Sequence, residues 1–396
     1  MIFVSGRKDF LVIIIVCGDI GRFPVGGEAW LNMQYLAGLK ALGHDAYYLE
    51  ECGKEAWVYN WDTFESTTDI TYQASYVREC LKLIEFPEKW IYRMGDKSEG
   101  MNLGDFQEVC SRADLMIIRG LPIALWRPEY ERPRRRIFID EEPGFTQLAL
   151  MKGNTQLLET VTRCKKLFTV GQRVGRFDCS IPTANRNWLK TVHPVCLLNW
   201  PIDGPDDTTH FTTILQWKAY RENHVHNNAN YGELHYGQKD EEFVKFQDIP
   251  RLTKQPFRMA LIGGSRELMA DFGWEAISGW DATRSPLSYR TFIETSRAEF
   301  SIQKHGYVVS QGGWFSDRSV CYLASGRPVL VQDTGLKDWL PTGEGILTFV
   351  KMSDALEGIM SINENYDRQR RAARALAEEY FSTDRVLPPL IEAAMS

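Results

Sequence analysis

Short apolar runs alternate with amphipathic segments along most of this chain, and glycines or acids punctuate the joints. Residues 11–16, 115–118, 137–139, 167–170, 211–217, 257–262 and 328–331 are short and apolar, many of them β-branched. They read as strands of a parallel sheet buried on both faces. Between them, residues 28–42 place Trp30, Met33, Leu36 and Ala37 on one helical face, and Gly43 ends that helix. Residues 239–246 and 289–296 read as further helices, and the aromatic-rich 57–92 is helical in its second half. The tail from 354 to 394 is mostly helical, with a break at Phe381-Ser382, and a last short strand falls at 348–350. Strands alternating with helices predict an α/β fold. The run NWPIDGPDD at 199–207 changes the composition and reads as a linker. It divides the chain into residues 1–200, residues 201–370 and a helical tail, 371–396.

The stretch 299–335 carries the clearest chemistry. Ser316 caps a helix through its hydroxyl, Asp317 lies in the first turn, and Gly326 stops the helix. The following strand turns at Asp333-Thr334-Gly335, at the carboxyl end where open α/β sheets bind ligands. A helix start with Arg318 and Ser319 beside it makes an anion site suited to a phosphate or diphosphate. In the first half, the loop CGDIGRFPVGG leads into a helix, and Gly26-Gly27 allow a close approach to a ligand. Its spacing is not the dinucleotide fingerprint. A second strand ends in Asp140-Glu141-Glu142, an acidic turn able to hold sugar hydroxyls or take a proton.

Charge and cysteine usage narrow the function. The 396 residues carry a net charge of −6, which argues against general nucleic-acid binding. Arg132, Arg134, Arg135 and Arg136 sit beside Glu129 and Glu131 and read as a solvated strand entrance. Eight scattered cysteines share no C-x-x-C spacing, as in a reducing, cytoplasmic setting. His224, His226 and His235 match no zinc pattern, so no metal is expected. The opening apolar run is too short for a membrane span and lacks a small-residue cleavage pattern.

Two Rossmann-like halves, a central linker and a closing helix resemble the GT-B glycosyltransferases over nearly the whole chain. The resemblance rests on GDIGRFPVGGEAW with GHDAYYLE, on YGQKDEEFVKF, on GGWFSDRSVCYLASGRPVLVQDTG and on AARALAEEYF. It implies two domains facing each other across a cleft, with the tail crossing back to the first. It implies sugar transfer from a nucleotide-diphosphate sugar, the co-substrate, to a small-molecule or glycan hydroxyl, without metal or other cofactor. Lys239, Lys304, Ser316, Asp317, Arg318 and Ser319 then hold the donor. Asp19 is the expected base, with Asp140 as second catalytic carboxylate, and His193 and His305 rank behind them. Gly26, Gly27, Glu142, Asp333 and Thr334 are expected around sugar or acceptor, and Trp30, Trp57, Tyr59, Trp61, Tyr92 and Trp126 along an acceptor wall. Many retaining members carry two glutamates eight residues apart around this helix; those positions are Gly313 and Cys321 here. An epimerase or sugar phosphorylase on the same fold, or a non-catalytic nucleotide or sugar binder, are the alternatives.

Overall fold

The computed structural model describes residues 11–202, 204–205, 208–217 and 229–396. The first half contributes strands β1 (Ile13–Cys17) and β2 (Asp45–Glu51), a hairpin of β3 (Val58–Asn60) and β4 (Glu65–Thr67), then β5 (Trp90–Met94) and β6 (Lys97–Gly100). It continues with β7 (Leu115–Arg119), β8 (Arg135–Asp140), β9 (Lys166–Thr169) and β10 (Trp188–Lys190). All but the hairpin form one sheet in the order β10-β9-β8-β7-β1-β2-β5-β6, parallel except for the edge strand β6.

The second half supplies β11 (Phe211–Gln216), a hairpin of β12 (Ala229–Tyr231) and β13 (Leu234–Tyr236), then β14 (Phe257–Ile262) and β15 (Glu275–Ser278). Strands β16 (Ala298–Ser301), β17 (Val329–Gln332) and β18 (Ile346–Phe349) follow. The six longer-range partners form a wholly parallel sheet, β15-β14-β11-β16-β17-β18. In both sheets the chain starts centrally, winds to one edge and resumes on the other side. The order therefore reverses between β1 and β7, and again between β11 and β16. Crevices open beyond the carboxyl ends of strands at such points.

The apolar runs are buried as their composition demands. Ile14, Ile15, Val16 and Leu115 to Ile118 are all fully enclosed, and each such side chain is worth about 1.5–3 kcal/mol of burial. The strand Trp90–Met94, WIYRM, escaped the sequence reading because Arg93 interrupts it. That arginine is buried and paired with Glu129. The 199–207 stretch is only partly a linker: Trp200 is fully buried against Trp30, ring centres 5.0 Å apart. His224 and His226 lie outside the described residues.

The halves touch on both flanks of the cleft. On one, the Trp30 indole N–H donates to the Pro286 carbonyl at 2.8 Å. On the other, Trp314 Nε1 donates to the Glu141 carbonyl at 3.2 Å and Arg173 pairs with Asp338 at 2.8 Å. The closing helix Thr383–Met395 crosses back onto the first sheet. Lys166 Nζ donates to the Ala393 carbonyl, and a Cβ on Gly38 would overlap Thr383. The tail breaks at Ser382, whose backbone is extended between two helical stretches.

Gly26 was expected at the ligand. Instead it lets the helix Gly26–Ala41 press on the helix Pro286–Glu294: a Cβ there would overlap the Ser285 carbonyl oxygen. Gly26→Ala is expected to lower stability by about 1–3 kcal/mol through overpacking, measured by urea unfolding. Gly27→Ala, whose Cβ would sit 3.2 Å from the Tyr289 ring, should cost distinctly less.

Candidate active site

A cleft of about 450 Å³ lies between the two sheets at the paired switch points. Asp19 follows β1, Gly120 follows β7, Gln216 ends β11 and Lys304 follows β16; all four line it. So do Gly27, Glu142, Lys239, Ser316, Asp317 and Arg318. Eight of these ten residues were expected from the sequence, and they meet in one place, drawn from both halves.

The wall from the first half is a chain of polar side chains. Asn32 Nδ2 donates to Asp19 Oδ1 at 3.0 Å, and Asn32 Oδ1 accepts from Arg119 at 2.6 Å. Arg119 grips Glu141 with two donors, Nε and Nη2, at 3.1 and 3.2 Å. Glu28 sits in the first turn of its helix, four residues before Asn32, and therefore on the same face. Burial, then the neighbouring charge of Asp19 and a hydrogen bond to it, raise the Glu28 carboxyl well above its ordinary range. Burial also pushes Glu141 up to about 7, against the pull of Arg119. Gly18 is required here, since any Cβ would overlap Asn32 Oδ1.

Below this wall, Glu50 accepts from Gly21 N at 2.9 Å, Arg22 N at 2.6 Å and Tyr48 OH at 2.8 Å. That buried carboxyl fixes the loop bearing Asp19, and burial pushes it up to about 8.

The facing wall is cationic. Lys239 opens the helix Lys239–Phe243. It forms no ion pair within 4 Å among the described residues. Burial, then Arg318 and Lys304, hold its ammonium well below its ordinary value. Lys304 pairs with Glu142 at 2.6 Å and lies over the Phe145 ring at 5.2 Å. Glu142 also accepts from Tyr307 OH, so it belongs to the cationic corner.

Arg318 differs from its expected role as an open phosphate clamp. It donates to Glu299 at 2.7 Å, to the Ile214 carbonyl at 2.9 Å and to Ser301 Oγ at 2.9 Å. Ser316 does cap the helix, accepting from Arg318 N at 3.2 Å. Ser319 is fully buried behind it and does not line the cleft.

Three more expectations are corrected. Asp140 is wholly buried, accepting from Thr169 Oγ1 at 2.7 Å, Gln147 Nε2 at 2.8 Å and Glu142 N at 3.0 Å. It shapes the acidic turn and stays out of the cleft. Asp333 accepts from the Gly335 and Leu336 amides, both at 3.1 Å, and Thr334 donates to the Trp314 carbonyl at 2.6 Å. These two brace the Gly313-Trp314 loop. Gly313 has φ +71, with Arg173 and Trp339 around it, and Cys321 is buried beside Gln34. Neither Gly313 nor Cys321 is among the residues that line the cleft.

His305 bonds Glu242 at 2.5 Å, away from the cleft lining. His193 lines the cleft; it is buried, and among the described residues neither ring nitrogen has a hydrogen-bond partner. Burial holds it near neutral, down at about 4. Arg119, Glu28 and Asn32 were missed as site residues by sequence reasoning, and Glu141 was named only as part of the acidic turn. The signal for Glu28 and Asn32 was their four-residue spacing just after the glycine loop. Among the described residues no group of three or more metal-ligating side chains is found, and no helix is long and apolar enough to cross a membrane.

The architecture is the GT-B fold of glycosyltransferases. An α-glucosyltransferase (AGT) solved with UDP matches over 97% of this chain and 99% of its own, at 10% identity and a TM-score of 0.57. HepE of Anabaena, solved with UDP and glucose, matches over 97% and 100%, at 10% identity and a TM-score of 0.57. A glycosyltransferase from Rickettsia africae matches over 97% and 98%, at 10% identity and a TM-score of 0.53. No protein-family model matches the chain, and no curated protein does.

Arg318→Met leaves Glu299, fully buried, without its partner. The expected loss is about 3–5 kcal/mol of unfolding free energy, read by denaturant titration. Arg318→Met with Glu299→Gln should recover most of it; a clamp serving only the ligand would show neither effect.

Proposed function

We propose that this protein is an enzyme that transfers a sugar from a nucleotide-diphosphate sugar to an acceptor hydroxyl. One observation carries the reading: Lys239, without an ion-pair partner among the described residues, faces a cleft it shares with Lys304 and with an acid-lined opposite wall. A diphosphate is the ligand that completes such a corner, because its charge restores what burial removes from the lysine. The solved structures of similar fold that hold UDP support the same assignment.

The transfer has two demands. Negative charge grows on the leaving diphosphate as the bond to the sugar breaks, and preorganised donors lower that barrier. Lys239, Lys304 and the helix start at Ser316 supply them, so the reaction is expected to proceed in chelator. Asp317, at the cleft from the first turn of that helix, takes the ribose hydroxyls. The second demand is removal of the acceptor proton. Asp19 serves as base, with Glu28 and Asn32 holding its orientation and the Arg119–Glu141 pair fixing Asn32. His193, without a hydrogen-bond partner among the described residues, is proposed to bond a hydroxyl of the sugar. The acceptor is a small molecule or a glycan rather than nucleic acid, and the site of action is the cytoplasm.

Lys239→Met is expected to weaken UDP binding roughly ten- to hundredfold, as loss of a charged hydrogen bond does, measured by calorimetry. It should also raise the melting temperature of the free protein. A lysine whose folded pKa lies below its ordinary 10.5 costs stability at low pH, and the cost fades as pH climbs toward 10.5. The gain in melting temperature should therefore shrink along the same pH axis.

Asp19→Asn should keep UDP affinity within about twofold while transfer falls by about a hundredfold or more, followed by release of UDP from a donor panel. Unchanged turnover would remove Asp19 as base. Donor consumption without acceptor, or a requirement for free phosphate, would instead identify an epimerase or a phosphorylase.

A further inference from the structure

The described residues include seven exposed aromatic side chains: Phe23, Trp57, Tyr59, Phe64, Phe177, Tyr231 and Trp280. Three of them, Trp57, Tyr59 and Phe64, lie on or beside the β3–β4 hairpin, and two more, Phe23 and Trp280, flank it. Tyr59 and Trp280 are near-parallel, 26° between planes and 6.0 Å between centres, although they come from opposite halves of the chain. Trp61 lies against both, at 4.9 and 5.5 Å, and its indole N–H donates to the Pro24 carbonyl at 2.6 Å. Pro24 stands between Phe23 and Val25, which line the cleft, and Trp280 shares a short helix with Thr283, which also lines it. The aromatic patch is therefore continuous with the mouth of the cleft.

Single exposed aromatics need no explanation, but a contiguous set beside a cleft marks a binding surface. Tyr59 is 37% exposed and Trp280 44%, so both keep ring surface open while their positions are fixed by mutual contact and by Trp61. The neighbouring charge selects the occupant. Between Lys54 and Arg78 the chain has no lysine or arginine, and it carries Glu55, Asp62, Glu65 and Asp69, all exposed. That acidity repels an anionic membrane surface and a nucleic-acid backbone. It suits a neutral polyhydroxylated ligand: flat C–H faces lie on the rings, and hydroxyls donate to the carboxylates.

We propose that the β3–β4 hairpin and Trp280 form a stacking platform for a neutral oligosaccharide acceptor, whose terminal hydroxyl reaches Asp19 in the cleft. This rests on the transferase reading above for the acceptor role, and on the surface alone for saccharide binding. It also separates the expected acceptor wall into two sets. Trp30 and Tyr92 are core and Trp126 packs half-buried against it beside Tyr130, whereas Trp57, Tyr59 and Trp61 belong to the mouth.

The test uses the full chain, with and without UDP, and short linear neutral oligosaccharides of gluco, galacto and manno type. Saturation-transfer NMR reports saccharide binding, and calorimetry reports UDP binding in parallel. At least one series should bind. Tyr59→Ala and Trp280→Ala should each weaken it about tenfold, with UDP affinity and melting temperature unchanged. Tyr59 lies in the half opposite the proposed donor site, so its variant separates the platform from that site. Failure of UDP to bind would overturn the donor assignment while leaving the saccharide result to stand or fall by itself. The platform is overturned if no saccharide binds, if Trp280→Ala weakens UDP and spares the saccharide, or if the wild type prefers anionic phospholipid vesicles or single-stranded DNA.

Discussion

An ammonium group taken out of water must find a counter-charge or give up its proton, and Lys239 has no such partner within ion-pair distance among the described residues. Its surroundings make this worse, because Arg318 and Lys304 stand nearby. Both of those cations are neutralised, by Glu299 and Glu142 respectively. Among the described residues Lys239 is the cation of this corner without an ion pair, placed where two sheets turn the carboxyl ends of their central strands toward each other. A folded protein keeps so costly an arrangement where a ligand completes it.

The opposite wall shows the same logic with inverted sign. Asp19, Glu28 and Glu141 crowd together, and one arginine, Arg119, serves them through Asn32 and directly. Burial first, then the neighbouring charge of Asp19, raise the Glu28 carboxyl well above its ordinary range, so the carboxyls of this wall stand in different environments. Differing environments of this kind assign acid and base roles within one site. Cations on one sheet and acids on the other define a direction: diphosphate to one side, acceptor hydroxyl to the other.

Much of this was legible in the chain. The apolar runs located most central strands, and the glycine loop, the capped helix at Ser316 and the two lysines all arrived at the cleft. What failed did so for identifiable reasons. Asp140 ends β8 and Glu141 opens the turn after it; the sequence favoured the first, but Asp140 is wholly buried and it is Glu141 that lines the cleft. Arg318 read as a ligand clamp because its partner Glu299, nineteen residues earlier, gives no local signal. Gly26 read as a ligand approach, yet the close approach is to another helix. Asn32 joins the site only because Gly18 lets it in, a contact between residues whose pairing no local pattern shows.

The charge state of one side chain, Lys239, can be observed directly. Nitrogen-15 NMR of the lysine side chains, assigned with Lys239→Met, would follow the titration of Lys239 in the free protein and with UDP. The prediction is a titration well below 10.5 without ligand that moves back up when UDP is added. A titration at the ordinary lysine value in the free protein, or one indifferent to UDP, would contradict the account.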